Sequence, residues 1–344
     1  MRAVCAAALV IWSAALVSSS HAQEFATVDV PSVTALPVEQ LKVRTIAIND
    51  HRNDPLADAG TGLIRFEDWA RAKPLQKQML SLYPAYQEPQ LRATVNGVAK
   101  ILTEKLHMYV AEARFLVARP PGALNLARLT TLQFLERLDA QIKHRLIAPG
   151  DAMPLKNPDI PYQKHPARDW CNLTINAICI QSTYKFEGRL PAAITLANKL
   201  REGHRPVADH IDFQSELRLL QGVDADGANL QKLTAVNTPV FAELEQNIFW
   251  INQIMQFGKF LAVFQPHPTD PNKTVVTTFM ALAVKTDVLA TKKEYETVPV
   301  LRNLVPAQVL VGNSSFNTGN SLSAGLPVYV RNRIKTIAAV LERE

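Results

Sequence analysis

Three residues that could act on a substrate lie close together in the second half of the chain: His204, His210 and Asp212. If Asp209–Leu220 is a strand, His210 and Asp212 share its polar face, because side chains alternate between the faces of a strand. An imidazole beside a carboxylate could act as a general base with its orienting partner, or hold zinc. The spacing matches no established metal motif, and a solvated strand is the simpler interpretation. A hydrolase that uses His210 and Asp212 is therefore the weakest of three hypotheses for function.

No other motif names a reaction. Residues 312–327 (GNSSFNTGNSLSAGLP) are rich in hydroxyls but lack the G-x-S-x-G elbow of a serine nucleophile. Asp224–Gly227 begins like a calcium loop, yet the position that should be acidic is Leu233. The sequence predicts no catalytic residue, no metal site and no cofactor, and it favours a non-enzymatic protein.

The N-terminal residues have the three parts of a cleavable secretory signal. Arg2 gives a positive start, residues 3–17 are apolar except for one serine, and the small residues Ser20 and Ala22 precede Gln23. The apolar run is shorter than the ~20 residues of a membrane span. The sequence predicts cleavage after Ala22 and a secreted or periplasmic protein. An uncut N-terminal anchor is the alternative.

Cleavage there would leave 322 of the 344 residues, with the formal charge lowered from +6 to +5 by the loss of Arg2. It would also leave two cysteines, Cys171 and Cys179. An even number of cysteines in an exported protein predicts a disulfide. The bridge needs the two Cα atoms within ~7 Å, so the chain must turn between them, most simply at Asn176. Two buried free thiols are the alternative.

The basic balance of the chain does not indicate nucleic-acid binding. The 37 Lys and Arg exceed the 31 Asp and Glu, but they are scattered, apart from 292–293 and the group Arg331, Arg333 and Lys335. Aromatic residues do not alternate with them as a base-stacking surface requires. The sequence predicts no nucleic-acid partner and names no protein partner. A peripheral contact with anionic envelope surfaces is compatible with this charge.

Hydrophobic periodicity divides the chain into two regions. Apolar residues recur every three or four positions over Pro89–Val117 and again over Leu132–Leu146, which predicts an antiparallel helix pair in a mainly helical region, 23–147. A strand at Leu41–Ile48 would precede the pair. Residues 148–168 hold five prolines and predict a linker.

From residue 169 onwards the pattern becomes that of strands. Strands are predicted at Cys179–Phe186, Asp209–Leu220, Lys259–Gln265 and Lys273–Lys285, with helices at Pro191–Arg201 and Pro327–Glu344. Residues 239–257 fit either a helix or a strand, and strand is slightly favoured. The predicted class is α+β: a helical N-terminal region, then an antiparallel sheet with a long C-terminal helix.

The order of these strands and helices resembles the START-like, or helix-grip, superfamily over roughly residues 170–344. In that superfamily a curved antiparallel sheet wraps the final helix and leaves an apolar cavity between them. The resemblance implies that the chain binds or carries a lipid or other apolar ligand. Candidate wall residues are Phe213, Leu217, Phe279 and Ile334, each of which could equally be plain core.

A second hypothesis, from another class, is an envelope protein-interaction module. The N-terminal helix pair would supply the partner surface through a stripe formed by Leu132, Leu135, Leu138 and Ile142. Exposure of that stripe would support the hypothesis, and its burial would count against it.

Overall fold

A computed structural model describes twelve stretches of the chain. These are residues 25–50, 54–58, 62–80, 90–95, 98–103, 106–138, 142–147, 177–185, 210–222, 226–251, 255–285 and 322–343. The predicted signal peptide 1–22, the predicted linker 148–168, Cys171 and the helix predicted at Pro191–Arg201 lie outside the described residues, as does most of the loop predicted at 312–327.

The described residues form twelve strands and five α-helices. The strands are β1 (Ala26–Asp29), β2 (Thr45–Asn49), β3 (Ile64–Arg65), β4 (Gln90–Val95), β5 (Val98–Thr103), β6 (Leu106–Val117), β7 (Ile142–Leu146), β8 (Ala177–Lys185), β9 (His210–Gln221), β10 (Ala242–Ile251), β11 (Met255–Pro266) and β12 (Thr274–Lys285). The helices are α1 (Phe66–Ala72), α2 (Pro74–Met79), α3 (Leu132–Leu138), α4 (Gly227–Thr234) and α5 (Leu322–Arg343). Short 3₁₀ helices cover Val38–Gln40, Pro121–Ala123 and Leu126–Thr130.

Ten of the strands build one sheet, so the class is α+β as predicted. Its order is β1-β2-β6-β12-β11-β10-β9-β8-β7, with β3 also paired to β6, while β4 and β5 form a separate hairpin. Among the described pairings, only β1–β2 is parallel. The sheet takes strands from both sides of the predicted linker, because β6 lies between β2 and β12 and β7 forms the far edge.

The helix predicted over Pro89–Val117 is wrong. That stretch holds β4, β5 and β6, and every residue from Met108 to Val117 is buried. A strand covered on both faces has an almost continuous apolar sequence, which happens to match helical spacing as well. The second predicted helix is half right: α3 ends at Leu138, and β7 follows. Within the described residues of 23–147, strands therefore predominate over helices.

The four strands predicted for the second half of the chain are present in the structure. The strands expected at Cys179–Phe186 and Asp209–Leu220 are β8 and β9, and the predicted hairpin is β11–β12. The ambiguous stretch 239–257 contains strand β10. The last helix is present as α5, which begins five residues before Pro327 and so takes the end of the predicted loop into the helix.

The sheet has an apolar core on each face. One face, here called the inner face, packs Tyr109, Phe115 and Phe264 with α5, α3 and the adjacent 3₁₀ helices. On the other, the outer face, Met108 and Phe279 pack with residues of α1, α2 and α4. No helix within the described residues is long and apolar enough to cross a membrane.

Candidate functional site

The C-terminal helix α5 covers the inner face with one apolar stripe. Val330, Ile334, Ile337, Ala338 and Leu341 are all buried there, at the spacing of three and four that places side chains on one side of a helix. The strands supply the other wall of this core. α5 contacts β6 and α3, so it covers the β2–β6 side of the inner face.

Polar contacts near the middle and near the C-terminal end of α5 hold it to the sheet and to the residue that follows β6. Arg331 donates to Asp29 of β1 and, over 3.1 Å, to Oδ2 of Asp50 beyond β2. Burial opposes the charge of Arg331, but these two hydrogen bonds raise the pKa of its guanidinium. Near the C-terminal end of α5, a Glu342 oxygen accepts the backbone N–H of Ala118 at 2.9 Å. Arg331, which the sequence groups with Arg333 and Lys335, is therefore a structural anchor.

Two buried polar pairs interrupt the inner face on its β7–β10 side. Gln246 donates through Nε2 to Ser215 Oγ over 3.1 Å, and His144 Nδ1 lies 2.8 Å from Ser182 Oγ. Both serines are completely buried, at 0% exposure. The strand register places these residues beside Ile180, Leu217 and Ile248. The sequence interpretation missed them, although the alternation of β9 already places Ser215 between Phe213 and Leu217 on the apolar face.

Around the two polar pairs, the inner face is less completely covered. Four apolar residues there are only partly buried, which contrasts with the full burial beneath α5. We call this group the partly covered surface: Ile178, Tyr184, Phe213 and Ile248. It offers apolar area with buried polar groups at its centre.

The structure brings together three of the four predicted wall residues. Leu217 and Ile334, each 3% exposed, belong to the same core cluster, and Phe213 shares the face of Leu217 by alternation. Phe279 does not belong with them. It lies on the outer face with Met108 and Leu261, so its assignment to a wall under α5 is wrong. Because successive residues of β12 point to opposite faces, its neighbour Met280 faces the inner core instead.

His210 and Asp212 are together, but not as a hydrolase requires. His210 Nε2 lies 3.3 Å from Asp212 Oδ2, and the hydroxyl of Thr183 donates to Asp212 Oδ1 over 2.5 Å. A nucleophile and base need the imidazole between the carboxylate and the hydroxyl, whereas here the carboxylate is in the middle. Both side chains are partly exposed at the start of β9, as a solvated strand predicts. Within the described residues, no group of three or more His, Cys, Asp or Glu could hold a metal ion.

A second polar group, which sequence reasoning missed, is buried on the outer face. We call it the charge cluster: Glu216, Arg218, Glu243, Glu245 and Lys259, on β9, β10 and β11. Lys259 Nζ lies 3.1 Å from Glu245 Oε1, and Arg218 Nη2 lies 3.0 Å from Oε2 of the same carboxylate. The alternating carboxylates of Ala242–Ile248 were visible in the sequence as a strand pattern, but that pattern did not reveal their burial.

The helix stripe proposed as a partner surface is part of the core. Leu135 and Ile142 are each 2% exposed, and Leu132 and Leu138 pack against the same inner-face cluster. The first helix of the supposed pair is replaced by strands. Both observations count against the interaction-module hypothesis.

These features define the class of protein: an α+β chain in which a mostly antiparallel sheet carries a long C-terminal helix on one face. No family model and no curated protein matches the chain. Among solved structures, one similar chain is that in the crystal structure of Ara h 8.0201. The two chains are 8% identical with a TM-score of 0.27, and the match covers 68% of this chain and 95% of the other. Another is the human StarD13 (DLC2) lipid transfer and protein localization domain, at 10% identity and a TM-score of 0.26, covering 68% and 96%.

Proposed function

We propose that this protein binds a lipid or another apolar ligand on the partly covered surface of the inner face, beside α5, within a START-like arrangement of sheet and helix. The observation that carries the proposal is an apolar face with buried polar pairs at its centre and partly buried apolar residues around them. Ligand sites are typically apolar surfaces with a few well-placed polar groups that fix orientation.

The polar pairs support this assignment because a core does not need them. Burying a hydroxyl or an amide costs free energy that a hydrogen bond only partly returns, so apolar residues would pack this region at lower cost. Ser182 and Ser215 are fully buried, and their hydroxyls hold the side chains of His144 and Gln246 in this apolar region. In the proposed complex, His144 and Gln246 orient a polar group of an otherwise apolar ligand.

The proposal includes export and a disulfide. Export rests on the three-part pattern of residues 1–22, with cleavage after Ala22. The disulfide would join Cys171 to Cys179, and it rests on the even number of cysteines that cleavage leaves in an exported chain. Such a bridge would fix the chain just before the strand that carries Ser182.

The experiment uses the chain that remains after cleavage behind Ala22, residues 23–344, and a fluorescent fatty acid as probe. Wild-type protein should bind the probe, and native mass spectrometry should detect a co-purifying apolar molecule. Phe213→Asp should raise the Kd at least about tenfold, because it places a charge on the apolar surface. The matched control is Val28→Asp, at an apolar residue of β1 that is 49% exposed.

Equal affinity in the wild type and Phe213→Asp would overturn the location of the site. Absence of both probe binding and a co-purifying molecule would overturn the function. Circular dichroism of each variant separates a lost site from a lost fold.

A further inference from the structure

The charge cluster on the outer face holds more negative than positive groups. It contains three carboxyl groups and two cations. Cross-strand pairing places Glu245 opposite Arg218 and Glu216 opposite Asn247. Asn247 in turn pairs with Lys259 on the next strand. Glu216, Glu243, Glu245 and Lys259 are each no more than 9% exposed. If every group were ionised, the cluster would bury one unbalanced negative charge. Burying an unpaired charge is costly, so such a group takes up a proton instead.

The contacts identify which carboxyl group takes that proton. Glu245 has both cations, Lys259 and Arg218, within 3.1 Å and is therefore the ionised member. Glu243 is flanked in the register by the apolar residues Leu220 and Val263. Glu245 lies two residues from Glu243 on β10, so both side chains point to the outer face. A hydrogen bond between the two carboxyl groups is among the causes that raise the pKa of Glu243, and one proton between them satisfies it, with Glu243 donating.

Glu216 is the third carboxyl group of the charge cluster. Burial raises its pKa and so does the charge of Glu245, whereas Arg218, Lys259 and a hydrogen bond from Asn247 oppose the rise. Glu216 therefore has groups that favour its ionised form, which Glu243 has to a lesser extent.

The pKa of Glu243 is raised to about 8, and burial is the largest cause. Glu245 on the same strand contributes to this rise through its charge and a hydrogen bond, and Asp226 before α4 contributes through its charge, while Lys259 on β11 opposes it. For Glu245, burial works to raise the pKa, but Lys259 and Arg218 together hold it below its ordinary value.

We propose that Glu243 and Glu245 form a proton-binding site, in which one proton is shared between the two carboxyl groups and its release loosens strands β9 to β11 and the helix α4 that packs on them. Release leaves Glu243 negative beside Glu245 and Asp226. Leu230 and Leu233 of α4 lie in the same outer-face core as Leu261 and Val263, so the helix and strands loosen together. This site is separate from the ligand surface, which lies on the other face.

The direction of the pH effect follows from the raised pKa. The folded state holds the proton up to about pH 8, whereas the unfolded chain releases it near 4.5. The stability that the proton provides is therefore complete below pH 4.5 and is lost as the pH rises through about 8. Between pH 6 and pH 9, the unfolding constant should rise by about a hundredfold from this group alone.

The test compares the wild type with Glu243→Gln, in which the amide stands in for the protonated acid. Urea unfolding measures the unfolding constant at pH 6 and pH 9. In the wild type, the constant should include the hundredfold rise from Glu243. In Glu243→Gln that contribution should be absent, so the rise should be about a hundredfold smaller. The control Glu136→Gln removes an exposed carboxyl group of α3 and should follow the wild type. Equal pH dependence in all three proteins would overturn the proposal.

Infrared spectroscopy detects the proton itself. The carbonyl band of a protonated carboxylic acid should be present in the wild type at pH 7, disappear with a midpoint near pH 8, and be absent from Glu243→Gln. Should Glu243→Gln fail to fold, the titration of the wild-type band decides the question. A wild type with no such band at pH 7 would overturn the proposal.

Discussion

Arg114 is a cation held in the middle of the sheet. Its side chain is 0% exposed. Its Nε donates to Thr277 Oγ1 and its Nη1 to the carbonyl of Leu36, each over 3.1 Å, and its Nη2 donates to the carbonyl of Thr234. These contacts join β6 and β12 to the segment before β2 and to the end of α4. Burial lowers the pKa of Arg114 to about 10, which leaves the guanidinium charged at neutral pH.

Replacing Arg114 by Met should cost about 3–5 kcal/mol of unfolding free energy, because buried carbonyl groups lose their donors and the neighbouring Glu112 loses a nearby cation. Urea unfolding monitored by circular dichroism measures this. The matched control is Arg71→Met, whose side chain is 80% exposed, with an expected change within about 0.5 kcal/mol. Similar losses for both variants would show that the hydrogen bonds of Arg114 do not stabilise the fold.

Among the secondary-structure elements, α5 combines an apolar stripe with polar anchors. Its stripe was predictable from the sequence, since Val330, Ile334 and Leu341 recur at helical spacing. The anchors were not, because Asp29 and Asp50 lie about 300 residues earlier in the chain. Contacts between residues so far apart depend on the sheet order, which periodicity does not encode.

Arg331→Gln should therefore loosen α5 without unfolding the sheet. Hydrogen exchange of the amides at 330–341 should accelerate about tenfold, since a partly buried charge pair of this kind contributes roughly 1–2 kcal/mol. The control Arg333→Gln removes a cation whose hydrogen bond and ring contact within the described residues are both to Tyr329 of the same helix. Equal acceleration in both variants would mean that the contacts to Asp29 and Asp50 do not hold the helix.

At the scale of the whole molecule, burial decides which elements the sequence reveals. β9 alternates between apolar and polar residues over most of its length, so the prediction of a strand there was confirmed. β6 is covered on both faces, and its largely apolar sequence matches helical spacing, so the sequence predicted a helix there. The same limit applies to the candidate site: Leu217 was predictable from alternation, whereas the placement of Phe279 on the outer face depends on the register between β11 and β12.

The position of β6 inside the sheet predicts that the two regions inferred from the sequence unfold together. β6 is paired along its whole length with β12, and β12 with β11, so strain at Arg114 should reach strands that follow the predicted linker. Hydrogen exchange of Arg114→Met tests this: the free energy of opening should fall by the same amount in β6 and in β11, to within about 0.5 kcal/mol. Arg71→Met should change neither strand. If Arg114→Met lowered protection in β6 alone, the chain would consist of two units that open independently, as a separate N-terminal region implies.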